Sequence, residues 1–327
     1  MSRLMPLLTL GVAALFLASL LIGPAPVGVL DSLSALILDD GTPMTLVMRE
    51  IRLPRALLAV IVGASLGMAG AAMQGYLRNP LAEPGLIGVS ASAALGAVIA
   101  LQTGLAAAFT LALPLTALGT ALLGVLLLLA LAGPRGASLT LILAGIAISA
   151  LAGALLSLVL NLSPNPFATS EIVFWMMGSL ADRSMTHVWL ALPLSVLGWL
   201  MLATLGRGLD ALTLGEDAAQ ALGIRLTRLR LTLVIATASV VGAATAVAGA
   251  IGFVGLVVPH ILRPLVGARP SRLLFASALG GAVLVLAADI AVRLILPDRD
   301  LKLGVVMALI GAPLFLHLIY KTRKEFA

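Results

Sequence analysis

Asp289 and Arg293 stand four residues apart inside a long apolar run, so a carboxylate and a guanidinium share one helix face and can neutralise each other. Charges at membrane depth are costly, and where they occur they serve ion pathways, proton relays or partner recognition. A lone acid would suit the relay of an ion-coupled secondary transporter. With an arginine one turn away, Asp289 is read instead as structural or as part of a docking point. Gln74, Asn79 and Glu83 form a second polar group at the end of another apolar run. They suit the satisfaction of a broken helix, with gating as the alternative. The third concentration is GEDAAQALGIRLTRLR, from Gly215 to Arg230, with acids at 216 and 217 and arginines at 225, 228 and 230 in a chain of which only 10% is charged. Glycines bound EDAAQAL, acids fill its first turn and arginines follow, the pattern of a short capped helix and a turn. A solvated loop would account for the charge. A docking element for another protein also accounts for the small residues and the glycines.

Other chemistries lack their residues. Cysteine is absent, which excludes disulfides and thiolate metal sites. There is no Gly-Lys pair, hence no Walker-type ATP site, and no nucleophile paired with a base. The histidines are scattered: His187 and His317 fall near expected helix ends, and His260 follows Pro259 in an interrupted segment, where it is either a structural residue or a metal or haem ligand. Neither a metal site nor a cofactor is expected.

These groups must be carried by membrane-spanning helices. The 327 residues are 61% hydrophobic with a mean hydropathy of +1.16, against roughly 45–50% apolar usage in soluble domains. About ten apolar runs reach or approach the ~20 residues a bilayer crossing needs: 4–22, 56–77, 86–103, 111–132, 139–160, 187–205, 229–249, 251–266, 272–296 and 303–320. A β-barrel would need alternating segments, and Leu122–Leu131 does not alternate. The first run is read as a retained helix, since Gly23-Pro24-Ala25-Pro26 is a poor cleavage site. The net charge of +6 fits loops on the cytoplasmic side rather than nucleic-acid binding. Most of the 20 basic residues fall on the side that holds both termini and Gly215–Arg230, which places that side in the cytoplasm. On the other side, Val27–Leu38 is amphipathic, and Phe167–Leu180, after the turn Ser163–Pro166, reads as a short helix. Leu58–Gly75 and Leu233–Gly252 share a small-residue rhythm, and each precedes a short segment interrupted by Gly and Pro. Opposite-facing repeats with broken helices are a recurring transporter design.

Four separated stretches carry a family resemblance: RLPRALLAVIVGASLGMAGAAMQGYLRNPLAEPGLIGVS (Arg52–Ser90), GEDAAQALG (Gly215–Gly223), GAIGFVGLVVPHILR (Gly249–Arg263) and GVVMALIGAPLFLHLI (Gly304–Ile319). In that order they resemble the permeases of binding-protein-dependent ABC importers for ferric siderophores, haem and cobalamin. The resemblance implies an all-α polytopic membrane protein of about ten helices with an inverted internal repeat, like the cobalamin-importer permease. It implies one transmembrane permease domain over residues 1–327, with a coupling loop at about 207–228. It further implies a homodimer in the bacterial inner membrane, two cytoplasmic ATPase subunits that hydrolyse ATP, and a periplasmic binding protein that delivers the cargo.

Residue by residue, Gly215, Glu216, Ala219, Leu222 and Gly223 would form the coupling helix, with Arg225 and Arg228 on the adjoining surface. Arg52, Arg55 and Arg293 would face carboxylates of the binding protein, giving orientation more than affinity. Ser157, Asn161, Met176, Met177 and Met307 would line the translocation path. The loop departs from a strict Glu-Ala-Ala pattern, reading Glu216-Asp217-Ala218-Ala219.

Overall fold

The computed structural model describes residues 3–23, 28–38, 41–109, 111–133, 138–163, 166–295 and 301–325. Pro24–Pro26 and the turn residues Pro164 and Asn165 lie outside them. Among the described residues all regular structure is helical. The chain opens with α1 (Leu4–Leu21) and α2 (Val29–Ile37). Next, α3 (Pro43–Leu46), a π-helical stretch (Val47–Arg52) and α4 (Leu53–Leu77) form one rod. A 3-10 turn at Pro84–Ile87 leads into α5 (Val89–Gln102), α6 (Leu105–Ala108), α7 (Ala112–Ala132), α8 (Ser138–Asn161) and α9 (Pro166–Met176). The chain continues through α10 (Met185–Thr204), α11 (Gly206–Leu212), α12 (Glu216–Ala221) and α13 (Leu226–Ala248). It ends with α14 (Val254–Leu262), a 3-10 turn (Pro264–Val266), α15 (Pro270–Ile295) and α16 (Leu303–Glu325).

Seven of these are long and apolar enough to cross a membrane: α1, the α3–α4 rod, α7, α8, α10, α13 and α15. The shorter α5, the apolar part of α16 and the nine-residue α14 occupy the remaining expected positions. One boundary is moved far. The rod begins at Pro43 rather than residue 56, because Arg49, Arg52 and Arg55 are helical instead of forming a loop. A π-helical turn holds Arg49 and Arg52, a local widening that often marks functional positions, and Arg55 follows in the first turn of α4.

α4 lies at the centre of the bundle and α1 at its edge: the apolar windows of the two spans are 83% and 11% buried. Lipid offers no hydrophobic force between helices, so close association rests on small residues and polar ties. Along α4, Gly63, Gly67 and Gly70 sit one turn apart, where a Cβ would collide with the backbone of Gly281, Ser277 and Gly255 respectively. Thus α4 packs against α15 and α14 backbone to backbone.

The two related stretches share one form: a long helix, a break and a shorter helix. α4 ends with Arg78 in the left-handed region, and α13 ends at Gly249 before Phe253, also left-handed at φ +68. The backbone freed at the second break is satisfied partly by side chains of the first stretch. Glu83 Oε1 accepts the Phe253 N–H at 2.9 Å. Gln74 donates to the Gly255 and Leu256 carbonyls at 3.4 and 3.2 Å and accepts from Arg263 at 2.7 Å. Asn79 closes its own turn by accepting the Leu81 N–H at 2.9 Å. This group performs helix-break satisfaction, across the repeats. His187 is structural in a similar way, completing the capping box of α10 with Ser184.

Candidate functional site

The segment from Gly206 to Arg230 folds as two short helices, a turn and the start of α13 at one end of the bundle. Gly215, at φ +105, starts α12 in a conformation closed to residues with a Cβ. At its other end the Gly223 N–H reaches the Gln220 carbonyl at 2.8 Å and the Ile224 N–H the Ala219 carbonyl at 3.0 Å, the paired bonds of a Schellman cap. Ala219 is fully buried beneath the helix, whereas Glu216, Asp217 and Leu222 are exposed, Leu222 by 64%. α12 therefore presents an acid and a leucine on a rigid, glycine-bounded knob. Arg225 and Arg228 are exposed beside it. Arg230 is not part of that surface: it is buried, and donates to the carbonyl of Gly133 at the end of α7 at 2.6 Å.

The knob is fastened by a residue that the sequence reading passed over. Asp210, on α11, accepts both the backbone N–H of Ser271 at 2.8 Å and its hydroxyl at 2.7 Å. Ser271 lies in the first turn of α15, where amide groups lack intrahelical partners, so a remote carboxylate supplies the cap. The available signal was a lone acid upstream of the knob and a Pro-Ser helix start, with nothing local to pair them.

At the opposite end of α15, Asp289 lies between two guanidinium groups. Arg55 reaches it with Nε at 3.0 and 3.1 Å and with Nη2 at 2.9 Å, and Arg293 with Nη2 at 2.7 Å. The Arg293 partner follows from the i,i+4 spacing; the Arg55 partner does not. Arg293 also donates to Ser19 Oγ at 2.6 Å and to the carbonyls of Ser19 and Ile22 at 2.9 and 2.8 Å. Arg52, itself buried, donates to the carbonyls of Leu20 and Leu21 at 3.0 and 3.1 Å. Three arginines and one carboxylate thus tie the end of α1, whose last carbonyls have no helical partner, to α4 and α15. The structure brings Arg52, Arg55 and Arg293 into one cluster, but turns many of their donors inward; the Arg55 side chain keeps 18% exposure and that of Arg293 8%.

The five path residues are less united. Ser157 and Asn161 are exposed on α8, where Ser157 also donates to the Gly153 carbonyl at 2.9 Å. Met176 is half-buried at the end of α9 and Met177 is 37% exposed. Met307 is fully buried inside the bundle and does not reach the face that carries Ser157 and Asn161. Its helix starts in a tight junction: the Gly304 N–H donates to the Gly178 carbonyl at 3.2 Å, and the Ser179 N–H to that of Ala248 at 2.8 Å. The ends of α9 and α13 and the start of α16 therefore meet at one point. A small cavity of about 150 Å³ lies between the two breaks, with Glu83 and Ser90 among its polar residues. Among the described residues no cluster of three or more His, Asp or Glu could hold a metal ion.

Comparison with known proteins gives this geometry a context. The sequence model of the FecCD transport family matches residues 11–321. The chain is 40% identical over 293 residues to the uncharacterized ABC transporter permease protein YvrB of Bacillus subtilis (strain 168), covering 88% of this chain and 82% of that protein. It is 42% identical over 277 residues to the vitamin B12 import system permease protein BtuC of Salmonella typhi, covering 84% of each. Among solved structures, "An inward-facing conformation of a putative metal-chelate type ABC transporter" superposes with a TM-score of 0.87 at 34% identity, covering 98% of this chain and all of that one.

Proposed function

The chain belongs to the FecCD transport family, and from that premise we propose that it is the homodimeric translocation subunit of an ATP-driven importer that carries a chelated metal, as an iron chelate, haem or cobalamin, from periplasm to cytoplasm. Its relatives are permeases of ABC transporters; in this proposal two separate cytoplasmic subunits hydrolyse the ATP. The names of the relatives supply the cargo class: one imports vitamin B12 and the solved neighbour is of the metal-chelate type. The location is the bacterial inner membrane, with both termini and the α11–α12 segment in the cytoplasm, the side favoured by the basic residues.

The observation that carries the reading is the fastening of α12. A helix of six residues is too short to be stable alone, yet this one is bounded by glycine caps and follows α11, whose Asp210 is bonded to Ser271 of α15. Such a rigid, exposed knob is suited to transmit force from a partner. Gly215, Glu216, Ala219, Leu222 and Gly223 form this coupling element, with Arg225 and Arg228 beside it. Arg52, Arg55 and Arg293 form a basic cluster at the periplasmic end, where three guanidinium groups to one carboxylate leave positive charge to orient a binding protein. α8 exposes Leu151, Leu155 and Leu158 alongside Ser157 and Asn161, a face suited to a second copy around a shared path. Met176 and Met177 flank that path. Met307 joins it only through a rearrangement that uncovers its side chain.

An ion-coupled transporter centred on Asp289 has weaker support, because that carboxylate is enclosed by two arginines rather than aimed into a cavity. Reconstitution decides between them. Proteoliposomes holding this chain and its cognate ATPase, with binding protein outside, should take up one chelate only when ATP is enclosed. Uptake driven by an ion gradient without either partner would overturn the importer reading.

A further inference from the structure

Two cavities follow one another along α13, the first in the seam between it and α10, the second chiefly between it and α7, with Leu194 of α10 at its margin. The first, about 700 Å³, lies beside the coupling segment and is lined by the guanidinium-bearing Arg207, Arg225 and Arg228 and by the apolar Leu200 and Met201. Among the described residues no Asp or Glu lines it. Among the described residues, none of these three arginines is held by a side-chain hydrogen bond or ion pair, in contrast to Arg230, which is spent on the Gly133 carbonyl. α13 also begins here without a side-chain cap. The second cavity, about 450 Å³, is almost wholly apolar, with Leu122, Leu194 and Ile235 among its walls.

α13 connects the two. Arg228 and Thr232 line the first cavity, and Ile235, Ser239 and Gly242 the second. Steps of three and four residues keep all five on one helix face. At 1.5 Å per residue, Thr232 to Gly242 covers ~15 Å, half of a hydrocarbon core of ~30 Å. On α10, Leu194 lines the second cavity and Leu200 the first, with Leu197 between them 51% exposed. The seam therefore offers positive charge at the membrane boundary and an apolar channel one leaflet deep.

We propose that this seam binds an anionic phospholipid of the cytoplasmic leaflet, its phosphate among Arg207, Arg225 and Arg228 and one acyl chain laid along α13 into the second cavity. The orientation rests on the importer reading above. A free phosphate would use the arginines and leave the apolar channel without purpose. A docked protein would cover the basic end but could not follow the seam to mid-bilayer depth. The site adjoins Gly223, the cap of α12, so its occupant touches the base of the coupling helix.

The test uses the full-length permease alone, released from lipid discs containing equal phosphatidylglycerol and phosphatidylcholine, with retained lipid counted by native mass spectrometry. The wild type should keep phosphatidylglycerol in preference to phosphatidylcholine. Arg207→Gln, Arg225→Gln and Arg228→Gln should each reduce retention about fivefold, as expected for one basic residue near an anionic surface. The corresponding triple lysine variant should retain the lipid and controls for folding. Gly242→Leu, which fills the apolar channel without touching charge, should also reduce retention. Equal retention by wild type and glutamine variants would overturn the site. Undiminished retention in Gly242→Leu, or competition by inorganic phosphate as effective as that by long-chain phosphatidylglycerol, would make it a phosphate site instead. Loss of ATPase binding by the glutamine variants with lipid retention intact would assign the arginines to the partner. No ATPase or binding protein is present in the lipid measurement, so its failure is separable from failure of the importer reading.

Discussion

Replacing Asp289 with asparagine removes the one carboxylate between Arg55 and Arg293 while keeping its volume. The side chain of Asp289 is 1% exposed, that of Arg293 8% and that of Arg55 18%, so the carboxylate cannot be replaced by bulk water without disturbing the packing. Breaking a buried pair by removing one partner typically costs about 3–5 kcal/mol, because the surviving charge is left uncompensated. Two facts move this protein to the low end: Arg293 keeps its bonds to Ser19 and Ile22, and Arg55 is partly screened by solvent. A loss of about 3 kcal/mol, at roughly 2 °C per kcal/mol for a long chain, gives a fall of ~6 °C in the unfolding midpoint. The measurement is thermal unfolding of the purified permease in detergent, with wild type and Arg293→Met in parallel. Arg293→Met removes the donor to the Ser19 and Ile22 carbonyls as well as one partner of Asp289, so it should cost at least as much. ATP-driven uptake by the folded fraction of Asp289→Asn should persist. An unchanged midpoint in both variants would refute the argument that this cluster fastens α1 to α15. A normal midpoint with transport abolished would instead make Asp289 part of the transport cycle.

Three further outcomes are expected. Asp210→Ala should leave the amide and hydroxyl of Ser271 without their acceptor, costing about 1–3 kcal/mol and lowering uptake per ATP hydrolysed; equal coupling ratios in reconstituted transporter would dissociate α11 from force transmission. Gly67→Val should place a side chain into the backbone of Ser277, an overpacking that costs ~3 kcal/mol or more and shows as lost folded yield on size-exclusion chromatography. Glu83→Gln retains an acceptor for the Phe253 N–H and should unfold within a few degrees of wild type, whereas Glu83→Ala should lose about 1–3 kcal/mol; identical midpoints for the two would show that the hydrogen bond between the breaks carries no stability.

The elements that hydropathy encodes were legible: long apolar runs, the glycine-bounded EDAAQAL helix, and the related α4 and α13 with a break after each. The rod upstream of α4 was hidden because Arg49, Arg52 and Arg55 read as a charged loop; in the structure they are helical and engaged by distant groups. Periodicity reports neighbours one turn away, which is why the Asp289–Arg293 pair is visible and the Arg55–Asp289 pair, 234 residues apart in sequence, is not. The same limit hides Glu83 with Phe253 and Asp210 with Ser271, separated by 170 and 61 residues. Met307 illustrates a different limit. Its place in a family motif says which helix carries it, but its full burial depends on how α16 packs in this conformation.

These distant ties also give α15 a specific mechanical place. Asp210 fastens its first turn, and the Arg55–Asp289–Arg293 cluster fastens a point 18 residues further along, ~27 Å at the helical rise. Between them the helix contains no proline, and its one weak point, Gly280–Gly281, is clamped: a Cβ at Gly281 would strike α4, and one at Gly280 would meet Leu262 and Val258 of α14. A flexible pair of glycines in water would act as a hinge, but here their small size brings three helices together and removes the freedom they would otherwise confer. A displacement of α12 and α11 therefore reaches α15 through a carboxylate cap and meets no slack before the arginine cluster. If α12 receives the force of a partner at one membrane face, α15 is the continuous element through which that force arrives at the other.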